Sequence, residues 1–341
     1  MGLGCLAGSG QSAAMVIRLP RDCVELLTQQ EGVLARWQAA DCALRTSAID
    51  ALLRSDRWRV LYRGVYAAYT GKPSRESALW AAVRRCGPSA ALSHVSAAEL
   101  DGLCDRPGHA IHVTVASPMR IRFDAAEFGH GLPRIILHRS TRMDAARHPA
   151  RTPPRTRIEE TVLDLTQLAR TFDGAFSWLS TACGRRLVTP DQIRAAAECR
   201  GKLRWRADVL TALDEIGAGV FSNLELRYMR NVERAHGLPE ATRQARMKRG
   251  WRSAYLDNLY AAFGVAVELD GRAAHLVEDR WQDIHRDNFF AGAGIITLRY
   301  NWTDVTGRPC AVASQVAQLL RLHGWTGELI ACRPSCPATL R

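Results

Sequence analysis

Three carboxylates are the first residues in this chain with chemical content. Asp257 precedes the run Glu268-Leu269-Asp270-Gly271 by about ten residues. Two positions apart on a strand, Glu268 and Asp270 point to the same face, and a hairpin partner can bring Asp257 alongside. Three like charges on one face repel each other and are expensive to desolvate unless a cation sits among them. Hard oxygen donors in this number suit Mg²⁺, or Mn²⁺ in its place. His275 follows, then Arg286-Asp287, and Arg299 lies further on. A divalent cation beside a candidate base and arginines is the equipment of phosphodiester hydrolysis. Asp257 and Glu268, with Asp270, would hold the metal, and His275 would accept or relay a proton. Arg286 or Arg299 would meet the phosphate charge.

The elements that must position these residues read, over 222–300, as helix, strand, strand, helix, strand. Ser222 caps a helix with Glu225 at its third position, a capping box, and that helix runs through SNLELRYMRNVERAH. WRSAYLDNLY is a strand, Phe263 to Leu269 a second, VEDRWQDIHRDNFFAGA a helix and GIITLRY the last strand. A helix from about Cys310 to His323 follows.

Asp257, the ELDG at 268–271, His275, the RDN at 286–288, Gly294 and the strand ending in Arg299 together resemble the endonuclease-like domain of unknown function 559. That family is similar to the very-short-patch-repair endonucleases of the PD-(D/E)XK nuclease superfamily. The resemblance covers roughly residues 217–322 and implies a restriction-endonuclease-like αβββαβ core that is Mg²⁺-dependent and acts on DNA. It implies metal binding by Asp257 and Glu268, with Glu225 matching an early helix Glu that some members use as a further metal contact. The superfamily usually carries Lys two residues after the second-strand Glu, where this chain has Asp270. The repair-type branch lacks that Lys too and relies on a histidine, a place His275 can take.

Toward the front, Asp22 to Tyr69 reads as a winged helix-turn-helix. Val24, Leu26 and Leu27 mark a short helix that Gly32 breaks, and Val33 to Ala40 a second. A third, capped by Thr46, has Ile49, Leu52 and Leu53 as its apolar face. WRVLYRGVYAAY around Gly64 is the two-stranded wing. Ser47, Asp50 and Arg54 on the third helix would face bases, with Arg57, Arg59 and Arg63 near phosphates of double-stranded DNA. The GVY at 64–66 and SHVSAAELDGL at 93–103 resemble, more loosely, the winged-helix region of AbiEi-type antitoxins. This implies a rival reading: a non-catalytic DNA-binding regulator or antitoxin, with a toxin as partner. In that case the rear domain serves as a dimerisation or DNA-holding unit.

The expected class is thus α+β or α/β. Residues 1–21 read as disordered or as an upstream mis-start, 22–70 as the winged helix and 71–140 as an α+β middle region. That middle region holds helices at 75–86 and 93–103 and strands at 111–116, 120–123 and 133–139. Residues 141–216 read as a basic linker and helical connector, 217–325 as the endonuclease-like domain and 326–341 as a tail without signal. Arg139 to Arg157 carries six arginines against one Asp and is either a solvated linker or a phosphate-tracking strap.

Composition agrees with this division. In 341 residues, 47% are hydrophobic and 23% charged, which excludes a disordered chain, and the net charge of +12 favours a polyanionic partner. The uncharged stretch Leu259 to Val267 is far short of the ~20 apolar residues that span a bilayer, so no membrane association is expected. The ten cysteines include no CxxC. Cys332 and Cys336 are the closest pair, and zinc would need a second pair or histidines. They therefore read as reduced thiols of a cytoplasmic protein. His94, His109, His112 and His138 read as core or surface residues, since only HxxH at 109–112 has ligand spacing.

Overall fold

Contacts divide the chain into two compact units, residues 1–157 and 158–341. The structure, a computed structural model, describes residues 17–123, 131–249, 252–270, 285 and 288–339. His275, Arg286 and Asp287 lie outside the described residues. The fold is mixed α and β, with two three-stranded sheets and one four-stranded sheet among the described residues. No described helix is long and apolar enough to cross a membrane.

The first unit opens with α1 (Arg21–Gln29), β1 (Val33–Ala35), α2 (Arg36–Asp41), α3 (Thr46–Arg54), β2 (Arg59–Tyr62) and β3 (Val65–Ala67). The strands form an antiparallel sheet in the order β1-β3-β2. Gly64 turns the β2–β3 hairpin at φ +73°, a conformation that favours glycine. The helix expected over Val33–Ala40 is corrected at its front. Glu31 and Gly32 both take positive φ and reverse the chain. Val33, Leu34 and Ala35 are then wholly buried opposite Ala67, Tyr66 and Val65, so a strand wins over the helical pattern. Thr46 does not cap α3 either; Arg45 occupies the cap position without a side-chain bond. α3 packs Ile49 and Leu52 with Cys23, Leu34 and Trp58.

Next come α4 (Arg75–Arg85), β4 (Ala91–Leu92), α5 (His94–Leu100), β5 (Ile111–Ala116), β6 (Ile135–Ser140) and α6 (Met143–Ala146). β5 pairs antiparallel with β4 and parallel with β6. The strand expected at 120–123 is absent: the Met119 N–H bonds the Ala116 carbonyl at 3.0 Å, turning the chain, and Arg120–Phe123 joins no sheet. The basic stretch up to Arg157 packs within the first unit. Arg155 is buried, paired with Asp101 at 2.7 Å, and Arg147 bridges to Thr156.

The second unit begins with four helices, α7 (Ile158–Leu168), α8 (Phe172–Gly184), α9 (Pro190–Glu198) and α10 (Arg206–Gly217), in the stretch expected as a helical connector. Thr189 and Gln192 form a full capping box ahead of Pro190. α11 (Asn223–Arg227) continues as a π-helical turn, Tyr228–Glu233, and a 3-10 turn, Arg234–His236. Then come β7 (Thr242–Arg249), β8 (Arg252–Tyr260), β9 (Val265–Asp270) and β10 (Ile296–Asn301), in the order β10-β9-β8-β7. β9 is parallel to β10 and antiparallel to β8, which is antiparallel to β7. Phe263 falls in a 3-10 turn closed by Gly264 at φ +60°, so β9 starts two residues later than expected. Val265, Ala266 and Val267 are fully buried, as befits a central strand covered on both faces. α12 (Trp302–Gly307) and α13 (Pro309–Leu322) close the unit. α13 packs Val312, Val316 and Leu320 against Tyr228, Val232, Val265 and Tyr300.

Candidate functional site

The candidate site lies where the four-stranded sheet forks. β8 and β9 pair only over Asn258–Val267, Leu259–Ala266 and Tyr260–Val265. One rung further, the side chain of Asp257 takes over: its Oδ2 accepts the Leu269 N–H at 2.9 Å. The Asp257 N–H lies 3.4 Å from Oε1 of Glu268. The two acidic residues the sequence singles out are therefore adjacent, and they sit where the backbone ladder has opened.

A change of phase explains the geometry. Leu256 and Ala245 join an apolar cluster with Ala266 and Phe290. Asn258 and Arg243, two positions away on the same strands, instead join a polar network around Glu233. The rung between carries Asp257 and Gln244, and Gln244 adopts φ +45°, strained for a residue with a Cβ. Gln244 Nε2 donates to Asp257 Oδ1 at 3.3 Å. The network behind is buried. Arg243 pairs with Glu233 and Asn258. Tyr260 donates to Glu233 at 3.1 Å, its oxygen lies 3.0 Å from that of Tyr228, and Asn258 holds the Val267 carbonyl at 3.2 Å. Asn258 thereby fixes β8 to β9 beside Asp257.

Glu225 forms only half of the expected capping box, because its carboxylate reaches one residue further back than the Ser222 N–H. Its N–H bonds Ser222 Oγ at 3.1 Å, and its own Oε2 accepts the Phe221 N–H at 2.9 Å. Burial raises its carboxyl above the ordinary value; the Phe221 N–H opposes that rise, and the charge of Asp257 adds to it. Glu268 is buried, at 4% exposed. Hard oxygens at Asp257 and Glu268, with a third carboxyl already pushed toward protonation, fit a divalent cation. Mg²⁺ uses one or two carboxylates and keeps waters or phosphate for the rest.

Asp270 is turned to another task. It pairs with Arg299 of β10 at 3.4 Å. Among the described residues, Asp257, Glu268 and Asp270 do not form a trio with all ligand atoms within 4.8 Å of one another. Arg299 also lines an open cleft of about 680 Å³ with Asn288, Gly294, Thr297 and His323. His275 and Arg286, expected at the site, lie outside the described residues.

In the first unit, Ser47, Asp50, Arg54, Arg57 and Arg63 are exposed, on α3 and at the hairpin. Arg54 Nε donates to the Asp50 carbonyl at 3.3 Å. Arg59 differs: its guanidinium holds the carbonyls of Thr70 and Gly71 at 3.3 and 3.1 Å, bracing the chain after the hairpin.

Sequence reasoning missed several groupings. Nothing in TRQARMKR marks Gln244 as a partner of Asp257. His94, His112 and His138 gather into a stack in the first unit. His112 Nδ1 lies 2.9 Å from His138 Nε2, and the rings of His94 and His138 are 3.7 Å apart. Burial, then the charge of His112, lowers His138 to about 4. His236, Cys310, Cys332 and Cys336 form a second convergence, in the second unit. Compared with models of known protein families and with curated proteins, the chain matches none.

Proposed function

We propose that this chain is a DNA-acting, divalent-metal-dependent endonuclease whose centre is Asp257 and Glu268. The observation that carries the reading is the pair of adjacent carboxylates at a strand fork, backed by a raised Glu225 carboxyl. Two carboxylates on facing strand positions repel each other, and a cation between them would relieve that repulsion. The order of a helix, three antiparallel strands and a parallel fourth strand supports assigning the unit to the restriction-endonuclease-like class.

Asp257 and Glu268 would hold Mg²⁺ or Mn²⁺, which when bound polarises a phosphodiester and acidifies water. Gln244 and the Leu269 N–H keep the Asp257 carboxylate oriented. The Glu233–Arg243–Asn258 network keeps β8 and β9 from sliding. Arg299, bordering the cleft, is available to a phosphate once its pairing with Asp270 yields. His275 and Arg286 remain the proposed base and phosphate contact.

In the first unit, the order helix, strand, two helices and a hairpin, with strand order 1-3-2, supports a winged-helix reading. We assign α3 to the major groove, with Ser47 and Arg54 toward bases and Arg63 toward phosphate; Arg59 serves by bracing the hairpin. The net charge of +12 agrees with a nucleic-acid partner.

One observation favours a second reading. Asp270 stands where the superfamily has Lys, and it neutralises Arg299. A non-catalytic DNA-binding regulator or antitoxin would tolerate that. A nicking assay separates the two. Supercoiled plasmid incubated with the protein and Mg²⁺ or Mn²⁺ is expected to become open-circular or linear. Without metal, or with Glu268→Ala, it stays supercoiled. Failure to convert, beside tight and salt-sensitive duplex binding, replaces the nuclease reading with the regulator.

A further inference from the structure

We propose that His236, Cys310, Cys332 and Cys336 form a zinc site that fastens the carboxy-terminal segment to the second unit. The four residues come from three stretches: the 3-10 turn ending the first helix of the sheet region, the first turn of α13, and the segment after α13. Their ligand atoms all lie within 4.8 Å of one another. Cys310 Sγ and Cys332 Sγ are 3.6 Å apart. A disulfide holds its sulfurs at about 2.05 Å. Two thiolates on one tetrahedral zinc, each ~2.3 Å from the metal, sit about 3.8 Å apart. The observed separation excludes a disulfide and is close to that of two ligands sharing an ion.

His236 supplies an independent observation. It is wholly buried. Its Nδ1 lies 3.0 Å from the Val232 carbonyl oxygen, so Nδ1 carries the proton and donates it. Nε2 is then the bare nitrogen, and it is buried without a hydrogen-bond partner. A neutral imidazole tied to a carbonyl through one nitrogen and presenting the other is the form in which histidine binds zinc. The π-helical turn before it shifts the phase of the helix, so the 3.6-residue period of the sequence does not forecast where His236 points.

The surroundings suit a closed structural site. Cys310 and Cys336 are buried and Cys332 is exposed. Cys336 packs with Cys310, Ala338 and Leu329. The Cys336 N–H bonds the Arg333 carbonyl at 3.0 Å, which turns the chain between the two tail ligands. The Ile330 N–H bonds the His236 carbonyl at 2.9 Å, and the Ile330 side chain lies 2.7 Å from where a Cβ on Gly237 would stand. Three thiolates and an imidazole select zinc over hard cations and leave no coordination position for water.

The test uses full-length protein purified without chelator. Elemental analysis is expected to find about one zinc per chain. Cobalt(II) in place of zinc is expected to give the strong visible absorption of a tetrahedral thiolate site. Cys332→Ser, at an exposed position, and Cys336→Ser are expected to lose both signals. Cys199→Ser, an exposed thiol elsewhere, and Asp257→Ala are expected to keep them. The proposal is overturned if wild-type protein binds neither metal, if non-reduced protein carries a Cys310–Cys332 disulfide, or if zinc persists in both serine variants. The wild-type cobalt spectrum decides the matter even where a variant fails to fold.

Discussion

Two clusters of ligating side chains in the second unit differ in almost every physical respect. Asp257 and Glu268 present hard oxygens at an opened strand rung, and their neighbours are hydrogen bonds that the chain itself supplies. Cys310, Cys332, Cys336 and His236 present soft sulfur and nitrogen, drawn from segments far apart in sequence. The first cluster stays incomplete, which agrees with the proposed role of admitting a phosphate and water. The second has four ligands converging and an imidazole nitrogen with no other partner. The two proposed sites, one for chemistry and one for fastening, are thus distinguished by what they leave unfilled.

The scaffold behind the carboxylates should be the most sensitive point. Glu233→Gln removes the buried counter-charge of Arg243. Urea denaturation should report a loss of about 3–5 kcal/mol. A loss comparable to that of a surface substitution would mean that the network does not hold the fork.

Removing the fastening metal should come next. Strong chelation, or Cys332→Ser, is expected to cost about 4 kcal/mol if zinc is present near a thousand times its dissociation constant. Nicking at saturating Mg²⁺ should change less than about two-fold once the protein is folded, because a closed structural site supplies no water or phosphate contact. A parallel collapse of activity and zinc content would merge the two sites into one.

Asp257→Asn should leave thermal stability nearly unchanged, since the amide oxygen can still accept from Leu269. The variant should lower nicking by at least ~100-fold. The same substitution should bring the Glu225 carboxyl down toward its ordinary value, because the charge of Asp257 helps raise it. An NMR titration of Glu225 that does not move would separate the two carboxylates electrostatically.

The smallest effect lies in the first unit. His138 has its pKa depressed to about 4 in the folded protein, so the unfolded chain binds more protons between that value and its ordinary 6.5. Stability from this group is complete above about 6.5 and declines as pH falls toward 4. His138→Gln should flatten that part of the stability–pH curve, and an unchanged slope would assign the acid sensitivity to other groups.

Where local chemistry decides, the sequence was legible. The hairpin around Gly64, the helical character of the stretch from Ile158 to Gly217 and the acidic strand end at Glu268 all follow from turn residues and apolar spacing. Tertiary structure decided the rest. Val33–Ala35 became a strand because β3 was there to pair with it and bury it. The Thr242–Arg249 edge strand is mostly polar, and Gln244 breaks its alternation with a left-handed turn of the backbone. Asp270 found Arg299 across the β9–β10 register and not the neighbouring carboxylates. The thiols and His236 met only because α13 and the segment after it return to the end of the first helix. Local propensity acts over a few residues, whereas each of these juxtapositions depends on burial between segments that only the folded chain brings together.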